Sequence, residues 1–207
     1  MSANRDGLVA VGGDLSVERL VLAYRSGIFP WPIFDDDLMT WFSPDPRAVL
    51  DLEALRINRT LQKALRKPGI RVTYDESFSD VIDACAAAAP GRMSTWITPQ
   101  LQAAYCALHQ RGHAHSVEVW SNDVLIGGLY GVAISGLFAG ESMFSRESNA
   151  SKIALVHLVE RLRARGYALL DIQQSTPHMM KLGASLISRR EYLRRLEGAL
   201  SLNCVFD

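Results

Sequence analysis

The chain has 207 residues, of which 48% are hydrophobic and 21% are charged, and its formal net charge is zero. These values are typical of one globular domain with room for a small appendage. A net charge of zero also excludes an overall positive electrostatic field that would attract a polyanion. A polyanionic partner would therefore need a local basic patch. No run of about 18 apolar residues occurs, which excludes a conventional membrane-spanning helix.

Cysteine usage and the first residues indicate a cellular compartment. Cys85, Cys106 and Cys204 are scattered along the chain and form no CxxC pair. The opening residues, MSANRDGLVAVGGD, lack the basic start and the apolar centre of a signal peptide. Together these features favour reduced thiols and predict a cytoplasmic protein.

The first predicted element is a helix that follows Ser16, a suitable N-cap, with Gly27 placed to end it. The next stretch, IFPWPIFDDDLMTWFSPDPRAVL, is rich in aromatic residues and in prolines, which rule out a regular helix. Two interpretations remain open for this stretch. It forms either a lid or small satellite core, or the apolar wall of a ligand pocket.

A basic helix is predicted next, beginning after its N-cap Asn58 and ending at Pro68–Gly69. Cations at helical spacing share one of its faces. They are Arg59, Lys63, Arg66 and Lys67. No acidic residue lies between Arg56 and Val72. Both a solvated helix face and a phosphate-binding surface agree with this pattern.

The rest of the chain alternates between strand and helix patterns. The predicted elements are a strand at Arg71–Tyr74, a helix over residues 78–88 broken at Pro90–Gly91, a helix capped by Thr98, the strand HAHSVEVW, a hairpin turning near Ser135–Gly136, a helix from about Asn149 to Gly166, the strand ALLDIQ, and basic helical segments after it. This order predicts an α/β (α+β) fold with a mixed sheet.

Two acidic residues interrupt otherwise apolar strands. Glu141 and Asp171 lie near the ends of the strands on either side of the long helix. A buried carboxylate is costly unless it is paired or used. Strand periodicity places Leu169, Asp171 and Gln173 on one face. Either Asp171 and Gln173 satisfy neighbouring backbone groups, or they form part of a reactive site.

Other common chemistries lack their sequence patterns. His113 and His115 have no cysteine or acidic residue nearby in the sequence to complete a zinc site. Ser142 lies in GESMF, which is not the GxSxG of a hydrolase, and no GxxxxGK[ST] or GxGxxG phosphate loop occurs. We therefore expect no metal.

A series of motifs resembles the bacterial leucyl/phenylalanyl-tRNA–protein transferases. The matching stretches are GGDLS, AYRSGIFPW, WFSPDPRAVL, TWIT, GHAHSVEVW, LIGGLYGV, LFAGESMFSRESNASK and LLDIQ. The resemblance implies a small N-terminal domain over residues 1–47 and an acetyltransferase-like (GNAT) domain over residues 48–207. It also implies a reaction that moves Leu or Phe, and less readily Met, from tRNA to an N-terminal Arg or Lys and marks that protein for N-end rule degradation.

The resemblance also implies binding residues at the positions that match the family. The apolar pocket and its mouth, where the terminal adenosine would lie, would be formed by Trp31, Trp96, Tyr105, Leu129, Phe138, Met143, Leu158 and Leu170. Leu129 stands where methionine is common in the family, and Leu158 stands where an aromatic residue is common. The basic helix matches the region thought to hold the tRNA acceptor stem.

The polar catalytic centre of the family would consist here of Glu141, Asp171 and Gln173. Because an aminoacyl-tRNA is already an activated ester, we expect no cofactor. Asp171 would orient Gln173 and help to deprotonate the attacking amine, and Gln173 would position that amine or relay its proton. Glu141 would attract the cationic N-terminal residue or anchor the α-amine of the ligand.

Three alternatives to this reading stay open. An acyl-CoA-dependent acetyltransferase would need a glycine-rich turn before the long helix, but that turn, FSRESNAS, has no glycine. A relative that adds amino acids from tRNA to cell-wall precursors is a second alternative. A non-catalytic RNA-binding module is the third.

Overall fold

The structure is a computed structural model that describes residues 7–33, 38–87 and 95–207. Phe34 of the aromatic stretch and the predicted break at Pro90–Gly91 lie outside these residues. Within the described ranges, no helix has both the length and the apolar character that crossing a membrane requires.

A small three-stranded antiparallel sheet and one helix form the N-terminal part. The strands are β1 (Leu8–Val11), β2 (Phe29–Pro30) and β3 (Thr40–Phe42), in the order β1-β3-β2, and the helix is α1 (Val17–Arg25). The predicted cap is confirmed, because the Ser16 hydroxyl accepts a hydrogen bond from the backbone N–H of Arg19. The sequence prediction missed these strands. They are two to four residues long, and a proline is tolerated at a sheet edge.

A seven-stranded sheet forms the rest of the fold, in the order β10-β4-β9-β8-β7-β6-β5. Its strands are β4 (Arg47–Val49), β5 (Ile70–Tyr74), β6 (Ala114–Ser121), β7 (Val124–Ile134), β8 (Leu137–Ser145), β9 (Leu169–Gln173) and β10 (Ser185–Ile187). Only β8 and β9 pair in parallel among the described strands. The predicted mixed α/β fold is therefore confirmed, whereas β4 and β10 were not predicted.

Within the described residues, six further α-helices connect or cover these strands. They are α2 (Arg59–Leu65), α3 (Phe78–Ala86), α4 (Pro99–Gln110), α5 (Ala150–Ala164), α6 (Pro177–Lys181) and α7 (Arg189–Leu200). Asn58 and Thr98 cap α2 and α4 as predicted, each accepting a backbone N–H. The basic helix is shorter than predicted, because Arg66 is the C-cap of α2 and Lys67 lies beyond it.

The helices enclose two large apolar cores around the large sheet, and a third, smaller apolar cluster lies beneath α7. Helix α5 packs on β6, β7 and β8 in one core, and α3 and α4 pack with α1 in the other. The second core unites Tyr24 and Phe29 of the N-terminal part with Phe78 and Tyr105. The aromatic stretch thus contributes to a main core and not to a satellite. The division into residues 1–47 and 48–207 stays a prediction.

The parallel β8-α5-β9 unit positions the candidate site. The β8–β9 pairing runs from Leu137↔Leu169 to Ala139↔Asp171. Beyond that point β8 carries a bulge, because Tyr130 pairs with Ser142 while the next residue of β7 pairs with Gly140. Glu141 is therefore the extra residue of the bulge, a device that often redirects a side chain next to a reactive site.

Candidate active site

Glu141 lies at the centre of a buried hydrogen-bond network. Its Oε2 accepts a hydrogen bond from the Tyr105 hydroxyl at 2.8 Å, and its Oε1 accepts one from Gln173 Nε2 at 2.6 Å. The Tyr24 hydroxyl is 2.7 Å from that of Tyr105. Because Tyr105 gives its only proton to Glu141, Tyr24 is the donor in the second bond. Three distant parts of the chain thus converge on one carboxyl group.

Burial changes the protonation of this network. Glu141 is only 9% exposed. Burial raises the pKa of Glu141 from 4.5 to about 7, although the hydrogen bonds from Tyr105 and Gln173 and the nearby Tyr24 hydroxyl oppose the change. Burial, followed by the nearby charge of Glu141, raises the pKa of Tyr105 and that of Tyr24 well above the ordinary value. Both tyrosines therefore remain neutral donors, while Glu141 can gain or lose a proton near neutral pH.

Asp171 has a different environment, although it is also buried. Arg47 donates two hydrogen bonds to its carboxylate, and the Tyr192 hydroxyl donates a third at 2.8 Å. Burial alone would lower the pKa of Arg47, but the charge of Asp171, the nearby Tyr192, the hydrogen bonds to Asp171 and the charge of Glu141 together outweigh that effect and raise it. The carboxylate of Asp171 is thus paired with a permanent cation, and both of its oxygens are occupied by hydrogen-bond donors.

Gln173 connects the two carboxyl groups. Its backbone N–H donates to Asp171 Oδ1 at 2.8 Å, while its side chain donates to Glu141. The φ angle of Gln173 is 60°, in the left-handed region that non-glycine residues seldom adopt. Such a conformation persists where surrounding contacts hold it, and it often marks a functional site. Nε2 uses one of its two N–H groups for Glu141, so the second N–H and the side-chain carbonyl oxygen of Gln173 remain for other partners.

An apolar cavity of about 220 Å³ opens beside Glu141, between β8, β9 and α5. Its apolar lining consists of Leu129, Met143, Leu155, Leu158, Leu170, Ile172 and Met179. Its polar lining includes Glu141, Gln174, Thr176 and His178. An apolar chamber with a few polar lining groups is the usual form of a small-ligand site, and this one has the size of a single large side chain.

Some of the predicted pocket residues line the cavity, and others lie elsewhere in the fold. Leu129, Met143, Leu158 and Leu170 line the cavity. Phe138 lies outside the cavity lining, because its ring stacks on Phe206 at a centroid distance of 5.6 Å.

The aromatic residues predicted at the pocket mouth are also absent from the lining. Tyr105 does not line the cavity, and its hydroxyl donates a hydrogen bond to the Glu141 carboxyl group. Trp31 and Trp96 stack on each other with centroids 5.2 Å apart and an angle of 12° between the rings. The structure therefore unites the two tryptophans, whereas their contact with an adenosine stays a prediction.

The basic helix presents its cations to solvent. The predicted tRNA-binding residues Arg59, Lys63, Arg66 and Lys67 are all exposed. Lys67 forms a 3.2 Å salt bridge with Glu147, and none of the other three takes part in a salt bridge within the described residues. This surface keeps enough unneutralised charge to bind phosphates.

Sequence reasoning missed several residues of the network. Arg47, Tyr24 and Tyr192 were not predicted, although Arg47 is a cation at the start of the apolar run RAVL. The rule that singled out Glu141 and Asp171, a charge within an apolar strand, would also have found Arg47. The two tyrosines carry no comparable signal, because tyrosine is common at apolar helix positions.

His115, one of the two histidines considered for a zinc site, lies close to two acidic residues in the fold. One potential ligand atom from each of Asp75, His115 and Asp207 lies within 4.8 Å of the others. His115 Nδ1 and Asp75 Oδ2 are 2.7 Å apart, and the other oxygen of Asp75 accepts the backbone N–H of Ser116. These bonds account for the Asp75 carboxylate as a cap of the β5–β6 pairing. The expected lack of a metal stays a prediction.

Comparisons with known proteins agree on one family. The family model for leucyl/phenylalanyl-tRNA protein transferases matches residues 49–197, and the model for the N-terminal domain of these proteins matches residues 13–45. A leucyl/phenylalanyl-tRNA–protein transferase of Pseudomonas syringae pv. syringae (strain B728a) is 54% identical over 193 residues, which cover 92% of this chain and 84% of the relative. One of Syntrophobacter fumaroxidans (strain DSM 10017 / MPOB) is 53% identical over 195 residues, with 94% and 83% covered.

Among solved structures, a GCN5-related N-acetyltransferase from Kribbella flavida aligns at 10% identity with a TM-score of 0.42. The alignment covers 77% of this chain and 56% of that chain.

Proposed function

Because this chain belongs to the leucyl/phenylalanyl-tRNA protein transferase family of aminoacyltransferases, we propose that it moves leucine or phenylalanine from tRNA to a protein that begins with Arg or Lys. Methionine would be a poorer donor. The new N-terminal residue would mark the acceptor protein for degradation by the N-end rule. We place this reaction in the cytoplasm, where free thiols such as those of the three cysteines stay reduced.

The observation that carries the proposal is an apolar cavity whose lining includes Glu141, a residue with a pKa of about 7. The cavity would take the side chain of the transferred amino acid, and its ester carbonyl would then lie close to Glu141. Apolar walls favour leucine, phenylalanine and methionine over polar residues. Exclusion of a β-branched side chain requires close contact near its Cβ, and each misplaced methyl group costs about 1–3 kcal/mol.

We assign Glu141 the role of proton acceptor. An efficient general base has a pKa near the operating pH. The pKa of Glu141 is about 7, so near neutral pH a substantial fraction of the protein has an ionised Glu141 that can accept a proton from the attacking amine. This role replaces the part in deprotonation that the sequence suggested for Asp171.

Asp171 and Gln173 position the reactants in this mechanism. Arg47 and Tyr192 hold Asp171, and Asp171 in turn holds the backbone of Gln173 in its left-handed conformation. The carbonyl oxygen of Gln173 would then accept an N–H of the attacking amine. This arrangement retains the orienting role predicted for Asp171 and the amine-positioning role predicted for Gln173.

The proposed step forms one bond and breaks one bond. The neutral α-amine of the acceptor protein attacks the ester carbonyl carbon, so that a C–N bond forms and the C–O bond to the terminal adenosine breaks. One amine proton passes to Glu141 and from there to the departing ribose oxygen. Glu141 returns to its ionised state, and the overall transfer consumes no other reactant.

The basic helix would bind the acceptor stem of tRNA through phosphates. Its exposed cations, Arg59, Lys63, Arg66 and Lys67, can follow a nucleic-acid backbone without reading its sequence. Binding should therefore weaken steeply with added salt and tolerate changes in tRNA sequence.

A transfer assay tests the proposed function directly. Labelled leucyl-tRNA is mixed with the protein and with peptides that differ only in their first residue, Arg, Lys or Ala. We expect label on the Arg and Lys peptides and none on the Ala peptide. Transfer to no peptide, equal transfer to all three, or equal acylation from acetyl-CoA would overturn the proposal. Tight leucyl-tRNA binding without transfer would instead identify a non-catalytic RNA-binding module.

A further inference from the structure

Cations at the mouth of the apolar cavity have no role in the mechanism above. Lys152 lies in the first turn of α5, three residues before the cavity-lining Leu155 and therefore on the same face of the helix. His178 lines the cavity itself, and Lys181 follows it by three residues on α6. We call Lys152, His178 and Lys181 the cavity rim.

The charges of the cavity rim lie close together and lack acidic partners. Burial lowers the pKa of His178, and the positive charges of Lys152 and Lys181 lower it further. Lys152 donates a 3.0 Å hydrogen bond to the neutral side chain of Asn149. Neither lysine takes part in a salt bridge within the ranges that the structure describes.

Two contacts connect the cavity rim to the basic helix. The backbone N–H of Arg56, just before α2, donates to the carbonyl oxygen of Leu182 at 2.8 Å, directly after Lys181. At the other end of α2, the salt bridge between Lys67 and Glu147 reaches the loop that leads into α5. The segments that carry the basic helix and the cavity rim are therefore adjacent.

We propose that Lys152 and Lys181 bind the phosphates of the single-stranded 3′ end of the donor tRNA. This inference rests on the proposed function, because it takes the cavity as the site of the esterified amino acid. A ligand held both by the basic helix and in the cavity must cross the rim. Its last phosphodiesters then lie beside the two lysines, and their negative charge compensates the like charges around His178.

Lysines on a surface are usually only solvated, so the test must separate phosphate binding from general charge. Three leucyl donors differ in the phosphates that they offer: leucyl-tRNA, a leucyl-CCA trinucleotide and leucyl-adenosine, which has none. The acceptor is the Arg peptide throughout. The rim variant combines Lys152→Ala and Lys181→Ala. The control variant combines Arg165→Ala and Arg190→Ala, which remove the same charge from exposed positions at the C-cap of α5 and on α7.

We expect the rim variant to lower kcat/KM about tenfold or more for leucyl-tRNA and for the trinucleotide, and to leave leucyl-adenosine unchanged. The dependence of log KM on log salt for the trinucleotide should become less steep by about 1.4, the value for two lost phosphate contacts on a single strand. A helix variant, Lys63→Ala with Arg66→Ala, should affect leucyl-tRNA alone. The control variant should affect no donor.

Equal activity of the rim variant and the wild-type protein with all donors would overturn the inference, as would an equal loss with leucyl-adenosine. Failure of the proposed function has a different signature, because the wild-type protein would then transfer from no donor. In that case, binding of the non-acylated CCA trinucleotide still tests whether Lys152 and Lys181 bind phosphates. The rim variant must bind it about tenfold or more weakly than the control variant does, or the inference fails.

Discussion

The Arg47 guanidinium holds the Asp171 carboxylate in the interior of the protein with Nε–Oδ1 and Nη2–Oδ2 distances of 2.9 and 2.6 Å, and both side chains are 1% exposed. Arg47 also donates to the carbonyl oxygen of Gly27 and lies over the rings of Phe29 and Tyr192. The pair therefore connects the N-terminal part, β4, β9 and α7.

Loss of either partner should leave the charge of the other buried without a counter-ion. We expect Arg47→Met and Asp171→Asn each to lower the free energy of unfolding by about 3–5 kcal/mol, and the double variant to lose less than the sum. Urea unfolding of the four proteins measures this coupling. Arg19→Met, which breaks the exposed Arg19–Asp14 pair, is the control and should barely move the midpoint. Additive losses would contradict a direct pair.

The pH dependence of transfer tests Glu141 as the proton acceptor. The acceptor amine and Glu141 must both be deprotonated, so log kcat/KM of the wild-type protein should fall with a slope of about two below pH 7. Glu141→Gln should reduce kcat/KM by about 10²–10⁴ and leave a slope of about one. Glu160→Gln, an exposed change on α5, should preserve the wild-type profile. An unchanged slope in Glu141→Gln would exclude this role.

Glu141 should also make stability depend on pH. Its pKa is raised from 4.5 to about 7, so the folded state binds the proton more strongly than the unfolded state does. The stabilisation from the protonated carboxyl is complete below the unfolded pKa and disappears as pH rises through the folded pKa. Relative to Glu141→Gln, the wild-type protein should lose about 3 kcal/mol over that interval. Denaturant unfolding at several pH values measures the difference, and a constant difference would refute the assignment.

The Tyr105 hydroxyl stabilises the ionised form of Glu141 through its hydrogen bond. Tyr105→Phe should raise the pKa of Glu141 further and displace the acid limb of the pH–rate profile to higher pH. Tyr130→Phe is a matched control, because the buried Tyr130 hydroxyl has no hydrogen-bond partner among the described residues. If both variants displaced the limb equally, the effect would come from burial and not from the hydrogen bond.

Substitutions of two leucines on α5 distinguish the effect of cavity shape on specificity from the effect of core packing on stability. Leu158 lines the cavity, whereas Leu162 is buried in the same core away from it. Leu158→Ala and Leu162→Ala should each cost about 2–5 kcal/mol of stability. Only Leu158→Ala should raise the ratio of phenylalanine to leucine transfer, by about tenfold, because it enlarges the cavity. Competition between the two charged tRNAs measures the ratio, and the same change in both variants would contradict the assignment of the cavity.

Elements with regular periodicity could be predicted from the sequence, and those defined by distant partners could not. Helix α5 and the β7–β8 hairpin have long apolar patterns, with a cap or a turn at their ends. Strand β2 has two residues and exists because Phe29 pairs with Phe42 and Pro30 with Trp41. No local pattern predicts a strand of that length.

The site was predictable in its residues more than in its contacts. Glu141 and Asp171 stand out as charges in apolar strands, and the fold does bring them together through Gln173. The sequence does not reveal their partners, because Arg47 is 124 positions from Asp171 and Tyr105 is 36 from Glu141. Their buried partners then give the two residues different roles. Asp171 is paired with the guanidinium of Arg47, whereas Glu141 accepts hydrogen bonds from the neutral donors Tyr105 and Gln173.

The position of Arg47 has a consequence for how this protein can be divided. The two family models match residues 13–45 and 49–197, so Arg47 lies in the interval between them. A fragment that begins at residue 49, where the larger model begins, would keep Asp171 and lose its counter-ion. The smallest fragment that retains the geometry of Gln173 must therefore begin before Arg47, and recombination between relatives should succeed only when Arg47 and Asp171 come from compatible parents.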